Sequence, residues 1–151
     1  MSTHHLDYLF NPGSVAVIGA SEQEGSIGSV LMQNMIQAGF QGRIHPVNPK
    51  YGSIHGFTAR ASILDLEEAP DLAVIATPIQ TVPDIIEDCV QAGTKGAVII
   101  SAGGREAGPE GVKLEERIKA RADQTGLRII GPNCLGIIAP GNKLNASFAA
   151  H

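Results

Sequence analysis

The sequence has few of the residues that indicate a disulfide framework, a nucleic-acid-binding surface or a membrane span. Its two cysteines, Cys89 and Cys134, stand in different kinds of local sequence and do not predict a disulfide framework. Eleven basic against fifteen acidic side chains, with no basic run, argue against a nucleic acid or an anionic membrane held by bulk charge. No apolar stretch approaches the roughly 20 residues of a membrane span, and residues 1–7 lack the regions of a secretory signal. We therefore expect a cytoplasmic, globular protein.

Short runs of Val, Ile and Ala recur along the chain and are typical of strands buried on both faces of a parallel sheet. Between these runs the apolar residues recur at helical spacing. Thr81, three residues before Asp84, is an N-cap signal for the second helix. We predict strands at residues 14–19, 42–47, 71–76, 96–100 and 127–130, and helices at 27–38, 82–90 and 109–125 that end at Gly39, Gly93 and Gly126.

Strands that alternate with helices predict a single α/β domain with a Rossmann-like, doubly wound parallel sheet and helices on both faces. The length of 151 residues fits one domain rather than two. The stretch 52–70 predicts a loop with a short helix near Ile63 and Leu64. Residues 140–148 show no closing element. We therefore expect an N-terminal extension at 1–12, a ligand-binding domain at 13–140, and the truncated start of a following segment at 141–151.

A glycine-containing loop follows the first predicted strand and leads into the first helix. Ligands of open parallel sheets bind beyond the carboxyl ends of the strands. Gly19, Gly25 and Gly28 allow a tight turn, and the helix start offers free N–H donors to a phosphate. The strict G-x-G-x-x-G spacing is not met, although Gly25-Ser26-Ile27-Gly28 fits its last part. We favour a phosphate site, and glycines that serve only the turn are the alternative.

The loop after the second predicted strand carries a lysine where a dinucleotide site often carries an acid. An NAD-binding domain places Asp or Glu here to accept a hydrogen bond from the ribose. This sequence has Asn48-Pro49-Lys50 instead. A lysine favours a ligand with a ribose phosphate, either NADP or coenzyme A (CoA). Lys50 as an ordinary exposed turn residue is an equally good interpretation.

Small and hydroxyl-bearing residues follow the three later strands. Thr77-Pro78 and Ser101-Ala102-Gly103-Gly104 would keep a crevice open for an extended ligand and supply hydrogen bonds. Gly131-Pro132-Asn133-Cys134 predicts a stiff loop that presents Asn133 and Cys134 at the rim. Arg105 and Glu106 are expected on a solvated face.

The remaining residues predict neither metal binding nor covalent catalysis. None of the five histidines has the spacing of a zinc ligand set. The sequence contains neither a G-x-S-x-G elbow nor a Walker A lysine. Cys89 lies on an apolar helical stripe and Cys134 beside an apolar strand, so both are expected to be inert.

Three motifs in this chain resemble the N-terminal CoA-binding domain of NDP-forming acyl-CoA synthetases, which are related to the alpha subunit of succinyl-CoA synthetase. They are Val15-Ala16-Val17-Ile18-Gly19-Ala20-Ser21, Pro46-Val47-Asn48-Pro49-Lys50 and Ile129-Ile130-Gly131-Pro132-Asn133-Cys134-Leu135-Gly136. The resemblance covers about residues 8–150. The ending at residues 144–149 is most similar to large bacterial proteins that fuse such a region to a Gcn5-related acetyltransferase domain.

The resemblance implies CoA or acyl-CoA as the ligand and assigns a role to each matching position. The phosphates would be held by Ser21, Gly25, Ser26, Ile27 and Gly28, and the nucleotide end by Lys50. The pantetheine path would be lined by Thr77, Pro78, Ser101, Ala102 and Gly103, and the thiol end would lie near Gly131, Pro132 and Asn133. Glu22 and Glu24 would oppose phosphate binding unless they point outward.

The resemblance also implies that catalysis needs more than this chain. The family's reaction passes through a phosphohistidine in a second domain and a nucleotide-grasp domain beyond it, and no histidine here matches that nucleophile. We therefore expect a CoA-binding module, not catalytic by itself, whose partners are further domains of an acyl-CoA synthetase-like or acetyltransferase protein. The alternatives are an NAD(P)-binding domain of an oxidoreductase or redox-sensing regulator, and an interaction domain without a ligand.

Overall fold

The structure, a computed structural model, describes residues 7–149, and a five-stranded parallel sheet lies at its centre. Its helices and strands are, in chain order, α1 (Asp7–Phe10), β1 (Ser14–Ile18), α2 (Ile27–Ala38), β2 (Arg43–Val47), β3 (Ser53–Ile54), β4 (Phe57–Thr58), β5 (Leu72–Ile75), α3 (Val82–Ala92), β6 (Gly96–Ile99), α4 (Pro109–Thr125), β7 (Arg128–Ile130), β8 (Gly136–Ala139) and β9 (Leu144–Ser147). The parallel sheet has the order β2-β1-β5-β6-β7, and β3–β4 and β8–β9 are antiparallel hairpins.

The central strands are buried on both faces because different elements cover each face. Every residue of β1, β5 and β6 is buried. Val15 and Val17 pack in one apolar cluster with residues of α2 and the β8–β9 hairpin. Ala16 and Ile18 pack in a second cluster with residues of α3 and α4. The Rossmann-like, doubly wound α/β fold is therefore confirmed.

The boundaries predicted for the strands and helices agree closely with the structure. Each predicted strand of the parallel sheet is present, and its ends fall within one residue of the prediction. The glycines predicted to end the three long helices have left-handed backbone conformations, with φ of 79° at Gly39, 93° at Gly93 and 77° at Gly126. Glycine adopts this conformation without a Cβ penalty, which explains why the helices stop there.

The side-chain cap predicted at Thr81 is wrong. Thr81 precedes α3 but ends a short 3-10 helix, Ile79–Thr81, so its backbone is already helical. A capping residue needs an extended backbone to turn its oxygen toward the helix amides. The Thr81 hydroxyl instead donates to the carbonyl of Pro78 at 2.6 Å, and Thr77 Oγ1 lies 2.8 Å from it.

The stretch 52–70 contains more structure than the sequence predicts. The short helix expected near Ile63 is confirmed as a 3-10 helix, Ile63–Asp65, which Ser62 caps. The β3–β4 hairpin was not predicted, because two-residue strands are too short to show alternation. Its tip, His55-Gly56, has positive φ at both residues, as tight hairpins require.

The prediction that residues 140–148 contain no closing element is also wrong. β9 pairs with β8 and places Leu144 and Ala146 in the core beside α2. The buried Asn34 of α2 donates from Nδ2 to the Ser147 carbonyl at 2.8 Å. The alternation of Leu144 and Ala146 with polar residues is the signal that fits this strand.

Three histidines of the sequence, His4, His5 and His151, lie outside the described residues. Within residues 7–149, no helix combines the length and apolarity needed to cross a membrane. Across the same range, no three His, Cys, Asp or Glu side chains are close enough to hold a metal ion.

Candidate functional site

The sheet changes its winding direction between β1 and β5, and this point defines a crevice at the carboxyl ends of the strands. From β1 the chain passes to β2 on one side, whereas β6 and β7 follow β5 on the other. The Gly19 N–H donates to the Val47 carbonyl and the Ala76 N–H to the Ile18 carbonyl, both at 2.9 Å. These bonds continue the sheet to the edge of the crevice, where open α/β folds bind their ligands.

Gly28 lets the start of α2 pack directly on the end of β1. A Cβ at Gly28 would overlap the carbonyl oxygen of Gly19. Gly19 itself has φ of 92°, and a Cβ there would lie 3.1 Å from the side chain of Thr77. Both glycines are therefore required by close backbone approach, and they aim the N-terminus of α2 at the crevice.

The first turn of α2 retains free donors. Ser26 caps the helix: its Oγ accepts from the Ser29 N–H at 3.2 Å and donates to the Gln23 carbonyl at 2.7 Å. The amides of Ile27 and Gly28 find no acceptor within residues 7–149. Two unpaired N–H groups at the positive end of a 12-residue helix suit a phosphate.

The glycine turn, residues 19–28, leaves one side open. Gly25 has φ of 83°, and a Cβ there would meet nothing within 4 Å. Ser21 is buried, and its Oγ accepts from the Gln23 N–H at 2.9 Å. Glu22 accepts from the backbone N–H of His55 at 2.9 Å, and Glu24 is exposed. The Glu22 carboxylate is thus turned toward the hairpin tip.

Asn48 fixes the position of the loop that carries Lys50. Its Nδ2 donates to the Ala20 carbonyl at 2.8 Å, and its Oδ1 accepts from the Lys50 N–H at 2.9 Å. The Lys50 side chain is exposed, and it makes no ion pair with any residue in the described part of the chain. Sequence reasoning treated Asn48 only as a missing acid and missed this bridging role.

A cleft of about 250 Å³ lies beside this loop, between the ends of β1 and β2 and the start of α3. Its lining is mostly apolar, with polar groups at its rim, and includes Gly19, Asn48, Pro49, Ser62, Ile63, Thr77, Pro78, Thr81, Ile85 and Asp88. Burial, followed by the charges of Asp84 and Glu87, raises the pKa of Asp88. An apolar cleft with a few polar rim groups suits a flat heterocycle.

The loops after β5 and β6 are joined to each other. Ser101 is buried and its Oγ donates to the Thr77 carbonyl. Ala102 is exposed, and a Cβ at Gly103 would lie 2.9 Å from Ile79. The N–H groups of Gly103 and Gly104 donate to Glu106 Oε1 at 2.7 and 3.1 Å, which lowers the pKa of Glu106.

The loop after β7 reaches the same edge through its backbone. The Asn133 N–H donates to the Ser101 carbonyl at 3.0 Å, and the Asn133 side chain is exposed, as predicted. Cys134 is half-buried, and its Sγ donates to the Ile99 carbonyl at 3.2 Å. Burial raises the pKa of Cys134, and it raises that of the core residue Cys89 to about 12. Neither thiol is a ready nucleophile.

The predicted residues fall into two groups in space. Contacts link Gly19, Thr77, Ser101 and Asn133 across the carboxyl edge. Pro132 instead lines a separate groove of about 410 Å³ between β7 and α4. His55, which the sequence placed only beside a loop, lies against the first turn of α2, since its Nε2 is 3.2 Å from Ser29 Oγ.

Known proteins resemble this chain closely over nearly all of its length. It is 48% identical over 146 residues to an ADP-forming acetate–CoA ligase of Methanocaldococcus jannaschii. The aligned region covers 97% of this chain and 20% of that relative. It is 45% identical over 147 residues to the alpha subunit of an ADP-forming acetate–CoA ligase I of Pyrococcus furiosus, covering 95% of this chain and 32% of the subunit.

A solved structure agrees with these sequence matches. The dinucleotide-forming acetyl-coenzyme A synthetase 1 of Candidatus Korarchaeum cryptofilum, solved with phosphate and ADP, matches with a TM-score of 0.91 and 38% identity. The match covers 96% of this chain and 31% of that one. This chain thus spans between about a fifth and a third of these relatives. The family model described as a CoA binding domain matches residues 13–140, and the chain therefore belongs to the CoA-binding domain family.

Proposed function

We propose that this chain binds CoA or acyl-CoA at the carboxyl edge of its sheet, as the CoA-binding part of an ADP-forming acyl-CoA synthetase. The observation that carries the proposal is the pair of unpaired amides, Ile27 and Gly28, at the start of a helix aimed into the crevice. Membership of the CoA-binding domain family supports the same ligand.

Each part of the ligand has a matching part of the site. The diphosphate binds at the glycine turn, with Ser21, Gly25, Ser26, Ile27 and Gly28 around it. The nucleotide end lies in the cleft beside Pro49, with the Lys50 ammonium on the ribose phosphate. The pantetheine arm follows Thr77, Pro78, Ser101, Ala102 and Gly103, and the thiol end lies near Asn133, on the loop that also carries Pro132.

The NAD(P)-binding alternative is not favoured, because the family match names CoA. In the relatives the matching region is one part of a longer ligase. We propose that acyl-CoA synthesis likewise needs further domains beyond this chain, which binds without catalysing. The fusion to an acetyltransferase domain and the cytoplasmic location stay predictions.

Calorimetry with CoA, dephospho-CoA and NADP tests the proposal, and Lys50→Gln tests the phosphate contact. We expect the wild-type chain to bind CoA more tightly than dephospho-CoA or NADP. Lys50→Gln should weaken CoA binding about tenfold and leave dephospho-CoA binding nearly unchanged, because only CoA carries the extra ribose phosphate.

The matched control is Lys95→Gln, since Lys95 lies before β6 at the opposite, amino end of the strands. It should bind both ligands as the wild type does. The absence of binding heat with millimolar CoA would reject the proposed function. Equal losses for CoA and dephospho-CoA in Lys50→Gln would reject the role of Lys50 alone.

A further inference from the structure

The tip of the β3–β4 hairpin closes on the glycine turn through polar contacts. His55 donates its backbone N–H to Glu22, and His55 Nε2 lies 3.2 Å from Ser29 Oγ. Tyr51, just before the hairpin, places its hydroxyl 3.3 Å from Ser21 Oγ. These contacts hold the hairpin tip against the turn that would bind the diphosphate.

His55 brings a group that can carry positive charge to the first turn of α2. That turn contains no acidic residue. The titratable or charged groups on the neighbouring segments are Glu22 and Glu24 of the glycine turn, and Lys50 and Tyr51 before the hairpin. Glu22 Oε1 accepts from the His55 backbone, Glu24 and Lys50 are exposed, and Tyr51 contacts Ser21.

Ser29 fixes the direction of the imidazole ring. Ser29 is only 1% exposed, and its backbone N–H is already bonded to Ser26 Oγ. The buried hydroxyl therefore holds His55 Nε2 beside the first turn of α2, which is the turn that carries the free amides of Ile27 and Gly28. A Cβ at Gly28 would overlap the Gly19 carbonyl oxygen, so no ligand atom fits between α2 and Gly19 at this point.

We propose that His55 is a binding residue of this site, whose imidazolium form pairs with the diphosphate of the bound ligand. The inference rests on the proposed function, since it names a further residue of the same site. The imidazole takes its proton from solvent, and the ion pair forms a charge-assisted hydrogen bond to a phosphate oxygen. An ion pair that requires the protonated imidazole predicts tighter ligand binding at lower pH.

Two measurements on the wild-type chain test this coupling with dephospho-CoA, whose diphosphate does not titrate in this range. Saturating ligand should move the NMR titration midpoint of the His55 ring to higher pH, because a ligand that prefers the protonated form favours protonation. Calorimetry should show tighter binding at pH 6 than at pH 8.

His55→Asn removes the imidazole while keeping the hairpin tip, since Asn tolerates the φ of 49° found at His55. We expect this variant to bind dephospho-CoA about five- to tenfold more weakly than the wild type at pH 6, and within about twofold of it at pH 8. His45→Gln is the matched control, because His45 lies in the middle of β2. The affinity of this variant for dephospho-CoA, divided by that of the wild type, should be the same at pH 6 and pH 8.

A midpoint that does not move with ligand, or a His55→Asn loss equal at both pH values, would overturn the inference. Both results leave wild-type binding of CoA intact, so they do not touch the proposed function. A wild-type chain that binds neither CoA nor dephospho-CoA would instead reject the proposed function, and the inference with it. Thermal melting of His55→Asn, expected close to that of the wild type, shows that the fold is kept.

Discussion

Asp88, a residue of the cleft, lowers the stability of the folded protein when its carboxyl group is ionised. Burial is the largest cause that raises its pKa, followed by the like charges of Asp84 and Glu87. The ionised form is therefore less favourable in the folded than in the unfolded chain. Stability is highest below the ordinary aspartate range and falls as the pH rises through the raised folded pKa.

Asp88→Asn should therefore raise the free energy of unfolding at pH 7.5, and raise it by less at pH 4. The gain should stay below about 1 kcal/mol, because water screens this partly exposed carboxylate. Urea unfolding at the two pH values measures it. Asp123→Asn, on the exposed side of α4, is the control and should change stability by less than about 0.5 kcal/mol at both. A loss of stability in Asp88→Asn at pH 7.5 would contradict this account.

Individual site residues could be predicted only where the chemistry is local. Lys50 and the glycines were expected at the carboxyl edge because they follow strands in sequence, and sequence order alone places such residues at one edge of a parallel sheet. The contacts of His55 and Asn48 were not predicted, because their partners, Ser29 and Ala20, lie 26 and 28 positions away. A hydrogen bond between distant segments leaves no pattern in a single sequence.

At the scale of the elements, the contact of α2 with β1 sets the geometry of the site. In this contact the backbone of Gly19 packs against Gly28, in the space that a Cβ at Gly28 would occupy. Gly28→Ala should destabilise the fold by about 2–3 kcal/mol, because the added methyl group meets a fixed carbonyl rather than a flexible side chain.

Urea unfolding measures the loss, and Gly52→Ala is the matched control. A Cβ at Gly52 meets nothing within 4 Å, so that variant should lie within about 0.5 kcal/mol of the wild type. Equal stability of Gly28→Ala and the wild type would show that α2 can move away from β1 at little cost.

Elements were predictable in proportion to their length and burial. The apolar runs of β1, β5 and β6 fill both faces of the sheet, and α2, α3 and α4 end at glycines, so their patterns are strong. The β3–β4 hairpin has only two residues in each strand. The sequence predicted a side-chain cap at Thr81, but the preceding 3-10 helix gives Thr81 a helical backbone, and its side chain does not cap α3.

At the scale of the whole molecule, the chain closes its core with its last strand. Leu144 is 1% exposed and Ala146 is fully buried, in the same cluster as α2. A chain that ends at Pro140 should lose at least about 3 kcal/mol of stability, since it exposes this apolar surface and leaves Asn34 without the Ser147 carbonyl.

Denaturant unfolding of that shortened chain measures the effect, and a chain that ends at Ala149 serves as its control. The control keeps all of β9 and should unfold at the same urea concentration as the full sequence. Unfolding of the chain ending at Pro140 at the wild-type urea concentration would show that β9 contributes nothing to the core.

The free amides at the start of α2 have a consequence for how such a protein can change. Every amino acid except proline supplies the same N–H group, so random substitution at Ile27 keeps the donor that we propose for the phosphate. Variation at the cleft, where side chains such as Ile63 and Ile85 form the walls, alters the shape that a ligand must match. New specificity would therefore arise more readily at the walls of the cleft than at the turn.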